Sequence, residues 1–357
     1  MKIAFFGSSI LSAYWNGAAT YYRGLIRSLH AREHRVTFYE PDAFERQKHR
    51  DLEHPSWVTA IVYPNSSEAA LRQVESARDA DLVIKTSGVG VFDELLEQAV
   101  LDLRRCSQIV AFWDVDAPAT LDRVLNHPND LFRKLIPQYD AIFTYGGGQP
   151  VIETYEHLGA RVCHPIYNGL DPTTHHPVPA SRDYWAHLSF LGNRLPDREV
   201  RAGEYFFQPA GTCPDKRFLL AGNGWADKQM SSNVNYLGHL FTSDHNVFNC
   251  SASFVLNISR DSMARNGYSP ATRIFEAAGA GACLLSDAWE GIEDFFEPET
   301  EILVADNGAE VAEILHSVSS LRARAIGQAA YRRAICDHTY HRRAGQFESA
   351  LNLRSIS

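Results

Sequence analysis

Several stretches of this chain combine residue types and spacings that suit work on a phosphorylated, hydroxyl-bearing ligand. The most informative is NGYSPATRIFEAAGAGACLLSD (266–287). Ser269 suits a helix N-cap and Pro270 the first helical position, while Gly279 and Gly281 end the helix before a buried strand. The N–H groups that 269–272 offers, those of Ser269, Ala271 and Thr272, and the positive end of the helix dipole would then face an anion such as a phosphate. Asn266-Gly267 supplies a flexible approach. Glu276, almost two turns into the helix, is placed to accept hydrogen bonds from vicinal ribose hydroxyls. Arg273, one turn earlier, either reaches a diphosphate or pairs with Glu276 at i,i+3 as an ordinary helix-surface ion pair.

A second stretch, FLGNRLPDR (190–198), ends a strand on Gly192 and follows it with Asn193 and Arg194; Arg260 follows the strand SFVLNIS in the same way. Open α/β sheets place ligands at such strand ends. Cations there would offset the charge of a phosphorylated ligand. In QIVAFWDVDAPATL (108–121) a buried strand delivers Asp114 and Asp116 to its end. A carboxylate at such a strand end can take a proton from an attacking hydroxyl, and Asp114 is the first candidate and Asp116 the second; a helix N-cap is the competing role. FGSSILSAYWNGAAT (6–20) contributes Gly7, Asn16 and Gly17, and TYGGGQP (144–150) contributes Gly146 and Gly147. Neither has the G-x-G-x-x-G turn of a nicotinamide enzyme. Tyr14, Trp15, Tyr21, Tyr22 and Trp113 are aromatics that either stack on a ligand or fill a core.

The elements that must position these residues are short apolar runs alternating with helical periodicity, the pattern of parallel sheets covered by helices, so the fold class is α/β. Strands are expected at 2–6, 35–40, 57–63, 81–85, 108–113 and 141–145, then at 187–192, 216–222, 234–238, 253–258, 281–287 and 301–306. Helices are expected at 269–280, 308–318 and 320–335. Between the two series, DPTTHHPVPASRD (171–183) carries three prolines and no apolar periodicity and reads as a linker. The expected division is therefore 1–170, linker 171–183, 184–337 and a terminal helix over 338–357.

Composition narrows the function. With 357 residues, 45% hydrophobic, there is apolar material for two cores. A net charge of -9 argues against nucleic acid as a partner. No apolar run is long enough to span a bilayer, and the N-terminal run reads as a first buried strand. The six cysteines are scattered without a C-x-x-C pair, which fits reduced thiols and a cytoplasmic location. His175-His176 and His338/His341 lack companions at ligand spacing, so no metal is expected.

SPATRIFEAAGAGACLLSD, followed by Gly291-Ile292 and ETEILVAD, resembles the donor-binding region of group 1 glycosyltransferases, with the CgeB-type spore-maturation glycosyltransferase-like proteins as the nearest subgroup. The resemblance implies two Rossmann-like domains facing across a cleft (GT-B), with the nucleotide-sugar donor on the C-terminal domain and the acceptor on the N-terminal one. It implies that the final helix crosses back onto the N-terminal domain. It further implies that Glu276 contacts the nucleotide ribose, that Gly192, Asn193 and Arg194 lie where donor phosphates bind, that the Asp114–Asp116 segment lines the cleft, and that the 6–20 loop faces acceptor and donor phosphates. Where many retaining members carry a second glutamate this chain has Tyr268, which leaves the stereochemical outcome open. The expected activity is metal-independent transfer from a UDP-sugar, or a dTDP- or GDP-sugar, to a glycan, small-molecule or protein acceptor, with no further cofactor. A nucleotide-sugar epimerase of the same fold and a non-catalytic assembly protein are the alternatives.

Overall fold

Runs of Ile, Val, Leu and Phe that are buried on both faces become the strands of two wholly parallel sheets, as expected where helices cover each side. The computed structural model describes residues 1–14, 16–53 and 55–351; Trp15 lies outside the described residues. The chain divides into two units, one formed by Met1–Tyr167 together with the chain from Tyr340 onward, the other by Asn168–Thr339.

The first unit holds β1 (Lys2–Phe6), β2 (Arg35–Pro41), β3 (Thr59–Tyr63), β4 (Leu82–Thr86), β5 (Ile109–Asp114), β6 (Ala141–Thr144) and β7 (Cys163–Pro165). Their order is β3-β2-β1-β4-β5-β6-β7. The second unit holds β8 (Ala186–Leu191), β9 (Phe218–Ala221), β10 (Val234–Tyr236), β11 (Ala252–Asn257), β12 (Leu284–Asp287) and β13 (Leu303–Ala305), in the order β10-β9-β8-β11-β12-β13. In each sheet the order reverses beside the first strand, between β1 and β4 and between β8 and β11, and such switch points open a crevice at the strands' C-terminal ends.

Packing in the first unit is aromatic. Trp113 stacks near Phe143 and Phe347 at centroid distances of 4.9 and 5.2 Å. Phe347 belongs to the helix Tyr340–Ala350, so the last helix is part of the first unit's core. Its Glu348 receives Arg32 through both carboxylate oxygens, at 2.9 and 2.5 Å, and His34 Nε2 at 2.9 Å. The Arg32 hydrogen bond, helped by His34, holds the Glu348 carboxyl below the usual range against burial. At its other end Tyr340 lies against Gly24, where a Cβ would come within 2.2 Å of the ring. Lys85, wholly buried on β4, is neutralised by Asp93 at 2.7 Å.

The 171–183 stretch differs from the expected linker. It lies within the second unit and runs along the helix Thr242–Ser251: Asn246 accepts from the His176 amide and donates to the Thr174 carbonyl, and the Ser181 amide donates to Ser251 Oγ. Prolines removed its periodicity, but the amides that remain find partners on a helix rather than in water.

Candidate donor site at the second unit's switch point

Beyond the end of β8 the chain is held by its neighbour. Trp225 Nε1 donates to the Gly192 carbonyl at 2.7 Å, the Arg194 amide donates to Asn223 O at 2.9 Å, and the Asn223 amide returns a bond to Asn193 Oδ1 at 2.9 Å. The approach is close enough that a Cβ on Gly222, whose φ is +121°, would lie 2.3 Å from the Gly192 carbonyl oxygen. Gly192, Asn193 and Arg194 are thus a fixed ledge.

Arg194 is turned away from a ligand role. Its Nε and Nη2 bind the Glu199 carboxylate at 2.9 and 2.7 Å, and its Nη1 binds Asp227 at 2.9 Å. Two carboxylates already neutralise it, so a role on a diphosphate would require these pairs to open. Arg260 likewise pairs through Nε with Asp197 at 2.6 Å.

Beside the end of β8, Arg198 and Arg273 have no ion-pair partner among the described residues. Arg273 donates to Asn257 Oδ1 at 3.3 Å and lies over the Phe190 ring at 5.3 Å. Burial and the neighbouring Arg198 push its guanidinium down to about 9, with Glu276 and Asp287 opposing. It remains charged at neutral pH and would be relieved by an anion. Arg198 is pushed down chiefly by burial, and its buried Nε has no hydrogen-bond partner. The i,i+3 pair between Arg273 and Glu276 is not formed; His175 Nε2 lies 3.9 Å from Glu276 Oε1. A Cβ on Gly192 would sit 3.1 Å from Arg273 Nη2 and 2.9 Å from Phe190 Cζ. Gly192→Ala is therefore expected to displace the guanidinium and weaken anion binding by about tenfold, at a cost of about 1–3 kcal/mol of stability from crowding Phe190, checked by calorimetry with a nucleoside diphosphate and by thermal denaturation.

The helix expected at 269–280 spans Thr272–Gly279. Its N-cap is Ala271 in extended conformation, with no side-chain cap. Ser269 is not the cap: it is buried and its Oγ has no partner. Pro270 precedes the helix and accepts from Asn168 Nδ2 at 3.5 Å. An uncapped start leaves its N–H groups for an external acceptor. Just before it, Gly267 (φ +65°) and Tyr268 (φ +45°) turn the chain against Glu290 and Gly291, and the Tyr268 amide donates to Glu290 O at 2.7 Å. Glu276 is part-exposed one face further along the helix.

Asp287, buried at the end of β12, ties this region together. It accepts from Arg201 Nη2 at 2.6 Å, from the Ser259 amide at 2.9 Å and from Ser259 Oγ at 3.1 Å. Sequence reading missed Asp287 and Arg201. It also missed Arg198, although that residue closes the FLGNRLPDR stretch, because nothing along the chain tells which arginine has carboxylates waiting for it. The expectation of no metal ligands rested on spacing, yet folding gathers His175, His245 and Glu276 from distant segments.

In the first unit Asp114 is fully buried and saturated. Its Oδ1 accepts from Ser87 Oγ (2.7 Å), Thr120 Oγ1 (3.0 Å) and the Asp116 amide (3.0 Å), and its Oδ2 from Tyr155 OH (2.5 Å). A carboxylate so engaged organises the strand end, a structural role that competes with its expected one as base. Asp116 is part-exposed at the N-cap of the helix Ala117–Asn126 and makes no side-chain cap there. Asn16 is committed to its own loop: Nδ2 donates to Ser9 O (2.7 Å) and Ser12 O (3.1 Å), and Oδ1 accepts from Ser8 Oγ. Gly7 packs under Phe38, Gly17 has open space around it, and Gly146 and Gly147 are buried, Gly147 in the left-handed region at the start of the helix Gly148–His157. Tyr21, Tyr22 and Trp113 are core; Tyr14 is exposed against His49.

Comparison with known proteins agrees with this layout. Residues 198–349 match the family model described as glycosyl transferase-like. No curated protein matches the sequence. Among solved structures, HepE of Anabaena in complex with UDP and glucose is 15% identical, with a TM-score of 0.68 over 99% of both chains. Sucrose-phosphate synthase of Thermosynechococcus elongatus is 14% identical, with a TM-score of 0.71 over 99% of this chain and 98% of that one. An E. coli trehalose-6-phosphate protein bound with UDP-2-fluoro glucose is 10% identical, with a TM-score of 0.68 over 98% and 99%. The fold is that of GT-B glycosyltransferases, and no helix among the described residues is long and apolar enough to cross a membrane. The chain thus has the GT-B fold throughout and carries, through this site, a segment that matches the glycosyl transferase-like family model.

Proposed function

We propose that the protein transfers a sugar from a nucleoside-diphosphate sugar, with UDP as the nucleotide, to an acceptor hydroxyl, and does so without a metal at the diphosphate. The carrying observation is the pair of unpaired cations, Arg198 and Arg273, beside the uncapped helix start at Ala271 and Thr272. These groups supply the charge that would otherwise come from Mg²⁺ as the diphosphate leaves. Ser269 Oγ, buried without a partner, offers one further donor to a phosphate oxygen. Glu276, on the same helix, accepts from the ribose hydroxyls. The 192–194 ledge contributes backbone rather than the Arg194 side chain. UDP or UDP-glucose bound to HepE, and a UDP-sugar analogue bound to the E. coli protein, support this choice of nucleotide. The first unit takes the acceptor, a glycan, small molecule or protein, and Asp116 is the carboxylate placed to receive its proton if the anomeric centre inverts. Among subgroups, the 266–306 motif favours the CgeB-type proteins, and the scattered free cysteines suit a cytoplasmic setting.

Calorimetry with UDP, GDP, dTDP and CDP in the presence of EDTA tests the donor site. UDP is expected to bind, and Glu276→Ala to weaken it by about 10- to 100-fold through loss of charge-assisted hydrogen bonds of about 1.5–3 kcal/mol. Absence of binding by all four nucleotides would overturn the reading.

A further inference from the structure

The geometry points to a Zn²⁺ site formed by His175, His245 and Glu276, in which bound metal removes Glu276 from the donor's ribose. One ring nitrogen of each histidine and one carboxylate oxygen of Glu276 lie within 4.8 Å of one another. The three residues arrive on separate supports: the 171–183 stretch, the helix Thr242–Ser251 and the helix Thr272–Gly279. His175 is only 5% exposed at its side chain, and its Nε2 has no hydrogen-bond partner although it faces Glu276 Oε1 at 3.9 Å. His245 Nδ1 is likewise buried without a partner. Buried ring nitrogens left without a partner are costly unless something binds them, since buried polar atoms are nearly always satisfied, and His175 Nε2 is one that faces the carboxylate. The 3.9 Å gap is too long for a hydrogen bond. It is close to the roughly 3.3 Å that separates ligand atoms around a tetrahedral ion with bonds of about 2.0 Å, so a small side-chain rotation closes the site.

The donor set selects the ion. Two imidazoles and a carboxylate form the three-ligand, open-position arrangement suited to Zn²⁺, whereas Mg²⁺ and Ca²⁺ require oxygen ligands. The Thr174 hydroxyl meets His175 Nδ1 at 3.0 Å and fixes the ring with Nε2 directed at the other ligands, the usual service of an outer-shell partner. The antagonism between metal and nucleotide rests on the proposed ribose role of Glu276; the metal site itself does not.

The test uses the full chain, stripped with EDTA and dialysed free of chelator. ZnSO4 titrated by calorimetry is expected to bind one ion per chain, and Co²⁺ at the same site to show a visible d–d spectrum. His175→Ala and His245→Ala should each weaken Zn²⁺ by about 100-fold or more, and His245→Gln gives a second version should the alanine variant fold poorly, as judged by its thermal midpoint. No stoichiometric Zn²⁺, or affinity unchanged in folded variants at both histidines, overturns the site. UDP is then titrated with and without saturating Zn²⁺. Mutual weakening by about tenfold or more is expected. Independent binding overturns the antagonism. Zn²⁺ binding with no UDP binding in either condition leaves the metal site standing and overturns the donor reading of Glu276 instead.

Discussion

Replacing Arg198 and Arg273 together by alanine should reduce donor turnover by roughly 10³-fold, measured as kcat/KM for release of nucleoside diphosphate from its sugar conjugate. Neither guanidinium has an ion-pair partner among the described residues, and both are held in an environment that disfavours their charge. That strain is relieved only by an anion, and most of all by the diphosphate as it gains charge on leaving. The loss should therefore fall on kcat as well as on KM. Arg194→Ala makes the control. Its guanidinium is already bound to Glu199 and Asp227, so turnover should change by less than about tenfold. Equal losses for Arg194→Ala and the double variant would show that the ion pairs open on donor binding and that the assignment of cations is wrong.

Asp114→Ala is expected to cost about 3–5 kcal/mol of stability, read by urea denaturation of the first unit's transition. The substitution leaves Ser87 Oγ, Thr120 Oγ1, Tyr155 OH and the Asp116 amide in a fully buried place without their acceptor. Burial and the Asp114 carboxylate also push Tyr155 upward, so its hydroxyl stays a donor and cannot compensate by ionising. Asp116→Asn should behave oppositely, with stability changed by less than about 0.5 kcal/mol and turnover lowered by about 10²-fold or more if it receives the acceptor's proton. A stable, inactive Asp114→Asn protein would restore Asp114 to catalysis.

Strand positions could be read from the sequence because strands covered on both faces are nearly continuous apolar runs, and twelve such runs lie on the observed strands. The strand Cys163–Pro165 could not, since three residues ending in proline carry no run at all. The helix bearing Glu276 was visible from its apolar spacing, but its start was not: Pro270 suits a first helical position, and only the packing of Asn168 and Glu290 around the turn delays the helix to Thr272. Individual site residues were legible to the extent that their role depends on backbone. Glycines and the helix terminus announce themselves locally. The fate of an arginine or aspartate depends on which distant side chains reach it, as Glu199 and Asp227 reach Arg194, and Tyr155 reaches Asp114. His175, His245 and Glu276 are the extreme case, three residues with no common sequence window.

The polypeptide enters the second unit at Asn168 and leaves it at Thr339, and these two passages lie side by side: the Leu170 amide donates to the His338 carbonyl at 2.7 Å, and Leu170 forms a parallel bridge with Thr339. The second unit is therefore an insert with adjoining ends, spliced into a host whose last helix, Tyr340–Ala350, is supplied only after the insert has been made. During synthesis the host's sheet must wait, with the Trp113 and Phe143 face uncovered by Phe347, until the whole insert has left the ribosome. The same arrangement makes the insert a natural cassette. A body carrying Arg198, Arg273 and Glu276 is joined to its host at two neighbouring points, the arrangement in which domain insertions are tolerated.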